Sequence, residues 1–407
     1  MSGKEMNKGP LLILMVNMFI AMLGIGLIIP VLPEFLKEFG ASGKAAGYLV
    51  AAMGLTQFIF SPIAGEWSDR FGRKKLIIAG LLLFSGSNLI FAVADQMWML
   101  YVSRFIGGIG AAAMIPSMMA YVADVTSVES RGKGLGMLGA SMSLGFVIGP
   151  GIGGFLAELG IRAPFYVSAG VGAIAMIVSL LVLPETLSVE QRQQLMKHKQ
   201  KAENIFKQLA QSIKAPYWIF LFLMFTLTFG LANFEAIFPL FVDQRYGYTA
   251  RDISILITVG ALVGVFIQAL FIDKLLKKFG ERRLINVTFL ASAVTLVLML
   301  FSGNMSYMLV MIVLFFTFTS ILRPAINTLL SKLAGEEQGF VAGMNNAYMS
   351  LGNIFGPALA GILFDIHLDL PYSFGAIILV ISFGLSVIWG RNSSKSANKA
   401  AIESHMS

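Results

Sequence analysis

Residues 136–154 read GMLGASMSLGFVIGPGIGG, and residues 343–361 read GMNNAYMSLGNIFGPALAG. Gly136, Gly145, Gly149, Pro150 and Gly154 recur as Gly343, Gly352, Gly356, Pro357 and Gly361 at a constant offset of 207, and Gly153 becomes Ala360. Both copies lie in apolar stretches of spanning length. Other positions repeat as well. Pro116 maps to Pro324 at 208 and Gly132 to Gly339 at 207. Asp69 maps to Asp273 at 204, while Phe71-Gly72 maps to Phe279-Gly280 at 208, so the second half carries four more residues in that loop. The chain therefore reads as a duplicated membrane protein, and duplicated bundles are a common way to build a transporter.

Composition points the same way. Of 407 residues, 57% are hydrophobic and 13% charged, against about 25% charged in a soluble domain. Twelve apolar stretches reach spanning length, at about 10–32, 45–67, 75–95, 98–120, 134–157, 163–184, 216–241, 252–273, 283–302, 306–329, 340–364 and 371–390. In lipid every backbone polar group needs an internal partner, so these spans are expected to be helices. A soluble core of buried helices would need polar faces that the segments lack.

The basic residues set an expected orientation. With both termini cytoplasmic, 23 Lys and Arg lie on that side, 5 lie outside, and Arg104 and Arg323 fall within spans. That is the bias of the positive-inside rule. It accounts for the net charge of +8 without nucleic acid, because short basic loops face anionic headgroups. The expected organisation is a six-helix bundle over 1–184, a solvated cytoplasmic linker over 185–215, a second six-helix bundle over 216–391 and a disordered tail over 392–407. The first span has no small-residue cleavage signal and is read as a retained helix. There is no cysteine, and the three histidines, His198, His367 and His405, are scattered, which argues against a metal site. No nucleotide motif is visible, so no cofactor is expected.

With the duplication in place, three segments carry a resemblance. Gly65-Glu66-Trp67-Ser68-Asp69-Arg70-Phe71-Gly72-Arg73-Lys74 resembles the signature loop of the major facilitator superfamily. Gly136-x8-Gly145-x3-Gly149-Pro150-x2-Gly153-Gly154 resembles the antiporter motif of its exporters. Gly24-Ile25-Gly26-Leu27-Ile28-Ile29-Pro30-Val31-Leu32-Pro33 resembles the first-helix signature of its twelve-helix drug:proton antiporters. Phe229-Gly230-Leu231-x-x-Phe234-Glu235 and Arg323-Pro324-Ala325 are similar to segments of the NorA/Bmr type. The resemblance implies an all-α membrane protein with twelve helices in two pseudo-symmetric bundles. It implies a cell-membrane exporter of hydrophobic, often cationic compounds such as quinolones and dyes, driven by protons. A bundle of this size is expected to be complete as a monomer.

Each candidate residue has a functional and a plainer reading. Gly65, Asp69, Arg70, Gly72 and Arg73 form a conformational latch at the cytoplasmic face, with Asp69 holding a helix N-terminus or an Arg of the adjoining bundle; alternatively the basic residues only anchor topology. The glycine motif lets helices pack closely whatever is moved. Glu235 lies in the outer half of the seventh span. A carboxylate taken out of water holds its proton more tightly, so Glu235 could carry protons and counter a cation, unless it simply meets water at the interface. Arg104, in a segment that resembles a family motif tied to proton transfer, and Arg323 are expected to face the bundle interior; the plainer reading is a lone Arg that bridges backbone carbonyls. Asn17, Gln57, Asn345 and Asn353 match the group's positions and either contact substrate or join helices, at ~0.6 kcal/mol each. Phe146, Phe234 and Phe238 could offer aromatic faces to cations, although with 33 Phe in the chain core packing is the commoner role. Ser320 stands where the group usually has an Asp, which leaves Glu235 without the second membrane carboxylate. The alternatives to drug export are export of a single physiological lipid or metabolite, and a non-transporting membrane sensor or scaffold. An enzyme is the least favoured, because no nucleophile–base pair is visible.

Overall fold

The computed structural model describes the backbone of residues 8–197, 205–335 and 337–406, with side chains except at 8, 128, 195–197, 206 and 391–406. All regular structure among these residues is helical. In chain order the helices are α1 (Lys8–Ile28), α2 (Leu32–Lys37), α3 (Gly43–Phe71), α4 (Arg73–Val93), α5 (Met97–Val125), α6 (Val128–Ala157), α7 (Ala163–Val182), α8 (Val189–Lys197), α9 (Ile205–Ser212), α10 (Trp218–Tyr246), α11 (Ala250–Phe279), α12 (Glu281–Leu298), α13 (Met305–Ala334), α14 (Gln338–Ile366) and α15 (Leu370–Met406).

Among the described residues, eleven helical spans are long and apolar enough to cross a membrane, the first running from Gly9 through α2 to Lys37. The twelfth expected span corresponds to α12, which has only 18 residues and begins with Glu281, Arg282 and Arg283. Its apolar part is therefore short, because the charged turn that precedes the span is itself wound into the helix. The linker contains α8 and α9; His198, Lys199, Lys201 and Glu203 lie outside the described residues. The last helix, α15, continues to Met406. The Lys- and Ala-containing stretch after Ser396 has helix propensity enough to extend a helix already nucleated by its apolar part.

The duplication is visible in the turns. Gly40 and Gly247 have φ of +59° and +70°, and Gly72 and Gly280 have φ of +108° and +75°. The members of each pair are 207 or 208 residues apart. At these φ values a side chain is strained, so both halves use glycine to leave their first helix and to join their second and third.

Two compact units are present: Met1–Ala202 with Glu235–Thr258, and Glu203–Phe234 with Val259–Ser407. In the first, α1 packs on α6 and α7, and α5 packs on α3 and α4. Leu14, Met18, Leu81, Phe84, Met114, Met118 and Tyr121 fill its centre. The 235–258 segment is tied to this unit by Lys37 to Asp243 at 2.8 Å and Arg251 to Glu158 at 3.2 Å. In the second unit, α12 packs on α13 and α15, and the rings of Phe234 and Phe315 lie 4.7 Å apart.

Candidate functional site

The glycine motif is a helix seam. A Cβ on Gly145 or Gly153 would overlap the carbonyl oxygens of Phe19 or Leu27 in α1, and one on Gly149 would sit 2.8 Å from Leu23 O. The second unit repeats the arrangement between α14 and α10. There a Cβ on Gly352 would lie 2.8 Å from Phe225 O, and one on Gly356 2.6 Å from Phe229 O. Backbone thus meets backbone at equivalent places in both halves, which only residues without a side chain permit. Gly154 packs instead against Ser254 and Ala250, and Pro150 is buried. Gly136 has open space where a Cβ would go, so the seam does not need it.

The signature loop builds a charge network inside the first unit. Arg73, 8% exposed, pairs with Asp69 four residues before it and with Asp124 of α5 at 3.2 Å, and donates to Ser68. Its backbone N–H donates to Glu185 at 3.0 Å, and Glu185 also pairs with Arg192 of α8 at 3.4 Å. Thr186 donates to Asp124 at 2.9 Å. Asp69 thus has a partner within its own loop. Arg73 lies four residues further along the chain, within easy reach of that carboxylate. Gly72 is favoured by its positive φ, and a Cβ there would also push the Glu185 carboxylate aside. Gly65 has no such constraint, and Arg70 is exposed with its guanidinium 5.3 Å from the Phe71 ring. Asp124, Glu185 and Arg192 were not among the sequence candidates. The signal for them was available: acidic residues closing the fourth and sixth spans, next to the most basic loop of the first half.

The in-span candidates separate into enclosed and open groups. Asn17, 1% exposed, donates to Ser179 of α7 at 2.7 Å. This bond joins α1 to α7. Phe234 and Phe238, at 3% and 0% exposed, are likewise core residues, Phe234 packing on Phe315. Gln57, Phe146, Glu235 and Asn345 are half-buried, while Arg323 and Asn353 are exposed. Asn345 donates to Asn327 of α13 at 3.2 Å, a partner that sequence reasoning missed. Arg104 bridges no carbonyl among the described residues; its guanidinium lies 4.3 Å from the centre of the Phe91 ring. Ser320 donates to Thr317 O at 2.8 Å within its own helix.

Prolines mark several of these positions. Pro150, Pro239, Pro324 and Pro357 lie inside α6, α10, α13 and α14. A proline deprives the carbonyl four residues earlier of its helical N–H partner. The carbonyls affected are those of Phe146, Glu235, Ser320 and Asn353. In a span such carbonyls are tolerated where they face protein or a water-lined cavity. The candidate carboxylate Glu235 thus sits at a point where α10 already has polar backbone to offer a proton or a cation.

Comparison with known proteins agrees with this architecture. The family model described as Major Facilitator Superfamily matches residues 14–346 and 268–406. The chain is 46% identical over 384 residues to "Multidrug resistance protein 2" of Bacillus subtilis (strain 168), covering 94% of this chain and 96% of that one. It is 40% identical over 372 residues to "Quinolone resistance protein NorA" of Staphylococcus aureus, covering 90% and 92%. Among solved structures, a bacterial homolog of the human lysosomal transporter Spinster matches with a TM-score of 0.74 at 15% identity, covering 95% of this chain and 97% of that one, and so shares the fold. The duplicated helical bundles, the signature loop and these full-length matches identify the chain as a member of the Major Facilitator Superfamily, a transporter and not an enzyme.

Proposed function

We propose that this chain exports hydrophobic, often cationic compounds, quinolones and dyes among them, in exchange for protons by alternating access. The observation that carries the reading is near full-length likeness to proteins named for multidrug and quinolone resistance. Half-buried Glu235, beside the carbonyl that Pro239 releases, supports the proton-coupling part. In this reading Glu235 takes up a proton outside and gives it up inside, and Arg323 sets the field for that exchange. Half-buried Gln57, Phe146 and Asn345 and exposed Asn353 are the candidate substrate contacts in this reading. The bias of basic residues towards one side of the spans supports a cytoplasmic position for both termini. The network around Arg73 holds one conformational state and must loosen in the other.

A second reading, export of one physiological lipid or metabolite, draws on Ser320. With a hydroxyl where relatives of this type carry a carboxylate, cation preference and proton dependence would differ. Efflux of ethidium and norfloxacin from cells making wild type, Glu235→Gln or Ser320→Asp, with and without a protonophore, tests both. Drug export by proton exchange requires that wild-type efflux stop with the protonophore and in Glu235→Gln. Wild-type cells that move neither compound would favour the single-substrate exporter.

A further inference from the structure

On the side of the spans opposite the basic loops, residues 235–258 hold the ends of α10 and α11 and the turn between them. This hairpin belongs to the first unit, although both of its helices continue into the second, at Phe234 and Val259. The turn fixes the two helix ends to each other. Gly247 has a φ of +70°, and Tyr248 N–H donates to Val242 O at 3.2 Å. Thr249 N–H donates to the Asp252 carboxylate at 3.0 Å, and Asp252 N–H returns a bond to the Thr249 hydroxyl at 3.2 Å.

Three sets of contacts hold the hairpin on the rest of its unit. Gly154 of α6 lies so close to Ser254 and Ala250 O of α11 that a Cβ would overlap them, and Gly151 lies against Thr258. Arg251 pairs with Glu158 at 3.2 Å, but the two side chains are 56% and 52% exposed, and an ion pair so open to water contributes little. Lys37 of α2 pairs with Asp243 of α10 at 2.8 Å, and here the partners are unlike. The Lys37 side chain is 57% exposed, that of Asp243 only 14%. The Asp243 Oδ2 is buried and has no hydrogen-bond partner among the described residues. Asp243 is thus a carboxylate largely withdrawn from water, with the Lys37 ammonium to balance it.

Alternating access requires the contacts that close one side of a transporter to part once in each cycle. We propose that the 235–258 hairpin is an outer gate and that the Lys37–Asp243 pair is its lock. The unequal burial of the partners gives the lock a direction. A carboxylate stripped of its cation inside the protein is costly, whereas an exposed ammonium stays in water at little cost. Loss of the Lys37 charge therefore drives the hairpin off α2 and α6 until Asp243 meets water. Loss of the Asp243 charge removes that drive and leaves the glycine contacts to keep the gate shut. The proposal rests on the alternating-access part of the export reading and holds whichever compound is carried.

The chain has no cysteine, so one introduced at a time reports opening. Ser254, fully buried against Gly154, is the reporter position, as Ser254→Cys. Ser168 of α7, 2% exposed and with no hydrogen bond to lose, is the control, as Ser168→Cys. Maleimide reaction rates are measured on purified protein in nanodiscs, in the wild-type, Lys37→Gln, Asp243→Asn and Lys37→Gln/Asp243→Asn backgrounds. Lys37→Gln should speed reaction at Ser254→Cys by about ten-fold or more. Asp243→Asn and the double variant should stay within about three-fold of wild type, so that the second substitution suppresses the first. The Ser168→Cys rate should be the same in all four. Equal Ser254→Cys rates throughout, or a double variant as reactive as Lys37→Gln, would overturn the lock. A rise at Ser168→Cys that matched the rise at Ser254→Cys would mean general unfolding and would overturn it too. No substrate enters the assay, so the lock can fail while ethidium efflux still supports drug export, and the lock can hold where that efflux is absent.

Discussion

At the scale of single residues, close helix contact and hydrogen bonding decide more than polarity does. Gly145 and Gly136 belong to the same motif, yet a methyl group would collide with Phe19 O at the first and meet open space at the second. Gly145→Ala should therefore destabilise the protein by about 1–3 kcal/mol, as overpacking does. Gly136→Ala should leave it unchanged or gain up to about 1 kcal/mol of helix propensity. Thermal unfolding in detergent compares the two. Asn17 makes the complementary case. Its bond to Ser179 is buried between α1 and α7, so Asn17→Ala should lower stability by about 1 kcal/mol. Ethidium affinity, measured by equilibrium binding, should stay within about two-fold of wild type, since the lost bond joins helices. A loss of affinity with stability unchanged would put Asn17 on the substrate path. A sequence shows that an Asn lies in a span but not which neighbour it meets, and for that reason Asn17, Phe234 and Phe238 were legible as polar or aromatic positions and not as core.

At the scale of elements, the loops that join helices carry the strongest electrostatic commitments. Arg73 fastens the α3–α4 turn to α5 and, through Glu185, to the start of the linker. Arg73→Ala would strand two carboxylates and should cost about 3 kcal/mol, measurable by the same unfolding assay. The second unit has a smaller counterpart in Lys332 of α13 paired with Glu281 at the start of α12. The hydrogen bond from Lys332, aided by the backbone at the helix start, holds the Glu281 carboxyl below its ordinary 4.5. A carboxylate with a lowered folded-state pKa stabilises the fold above its unfolded pKa, and that contribution disappears as pH falls through the folded value. Lys332→Met should accordingly be less stable than wild type near about pH 7, and the deficit should shrink as pH falls through the lowered folded-state pKa of Glu281. A deficit that persisted in acid would assign Lys332 a packing role. The basic loops themselves were plain in the sequence. Their acidic partners come from spans far away in the chain, and only the fold brings Asp124 and Glu185 to Arg73.

At the scale of the molecule, the repeat spacing was enough to expect two related helical bundles, because a glycine seam and four turn glycines recur 207 or 208 residues apart. What the spacing did not reveal is the weakest span, α12, where three charged residues shorten the apolar stretch. The candidate site was legible in part: the prolines of α6, α10, α13 and α14 point from the sequence alone to Phe146, Glu235, Ser320 and Asn353, whereas the Asn345–Asn327 pair and the ring beneath Arg104 depend on packing. The central claim is exchange of drug for protons through Glu235. It is tested most directly in sealed vesicles that hold the purified protein and an imposed pH gradient, acidic inside. Ethidium should accumulate in vesicles with wild-type protein only while the gradient lasts, and vesicles with Glu235→Gln should show no gradient-driven uptake. Accumulation that ignores the gradient, or that persists undiminished in Glu235→Gln, would contradict the account.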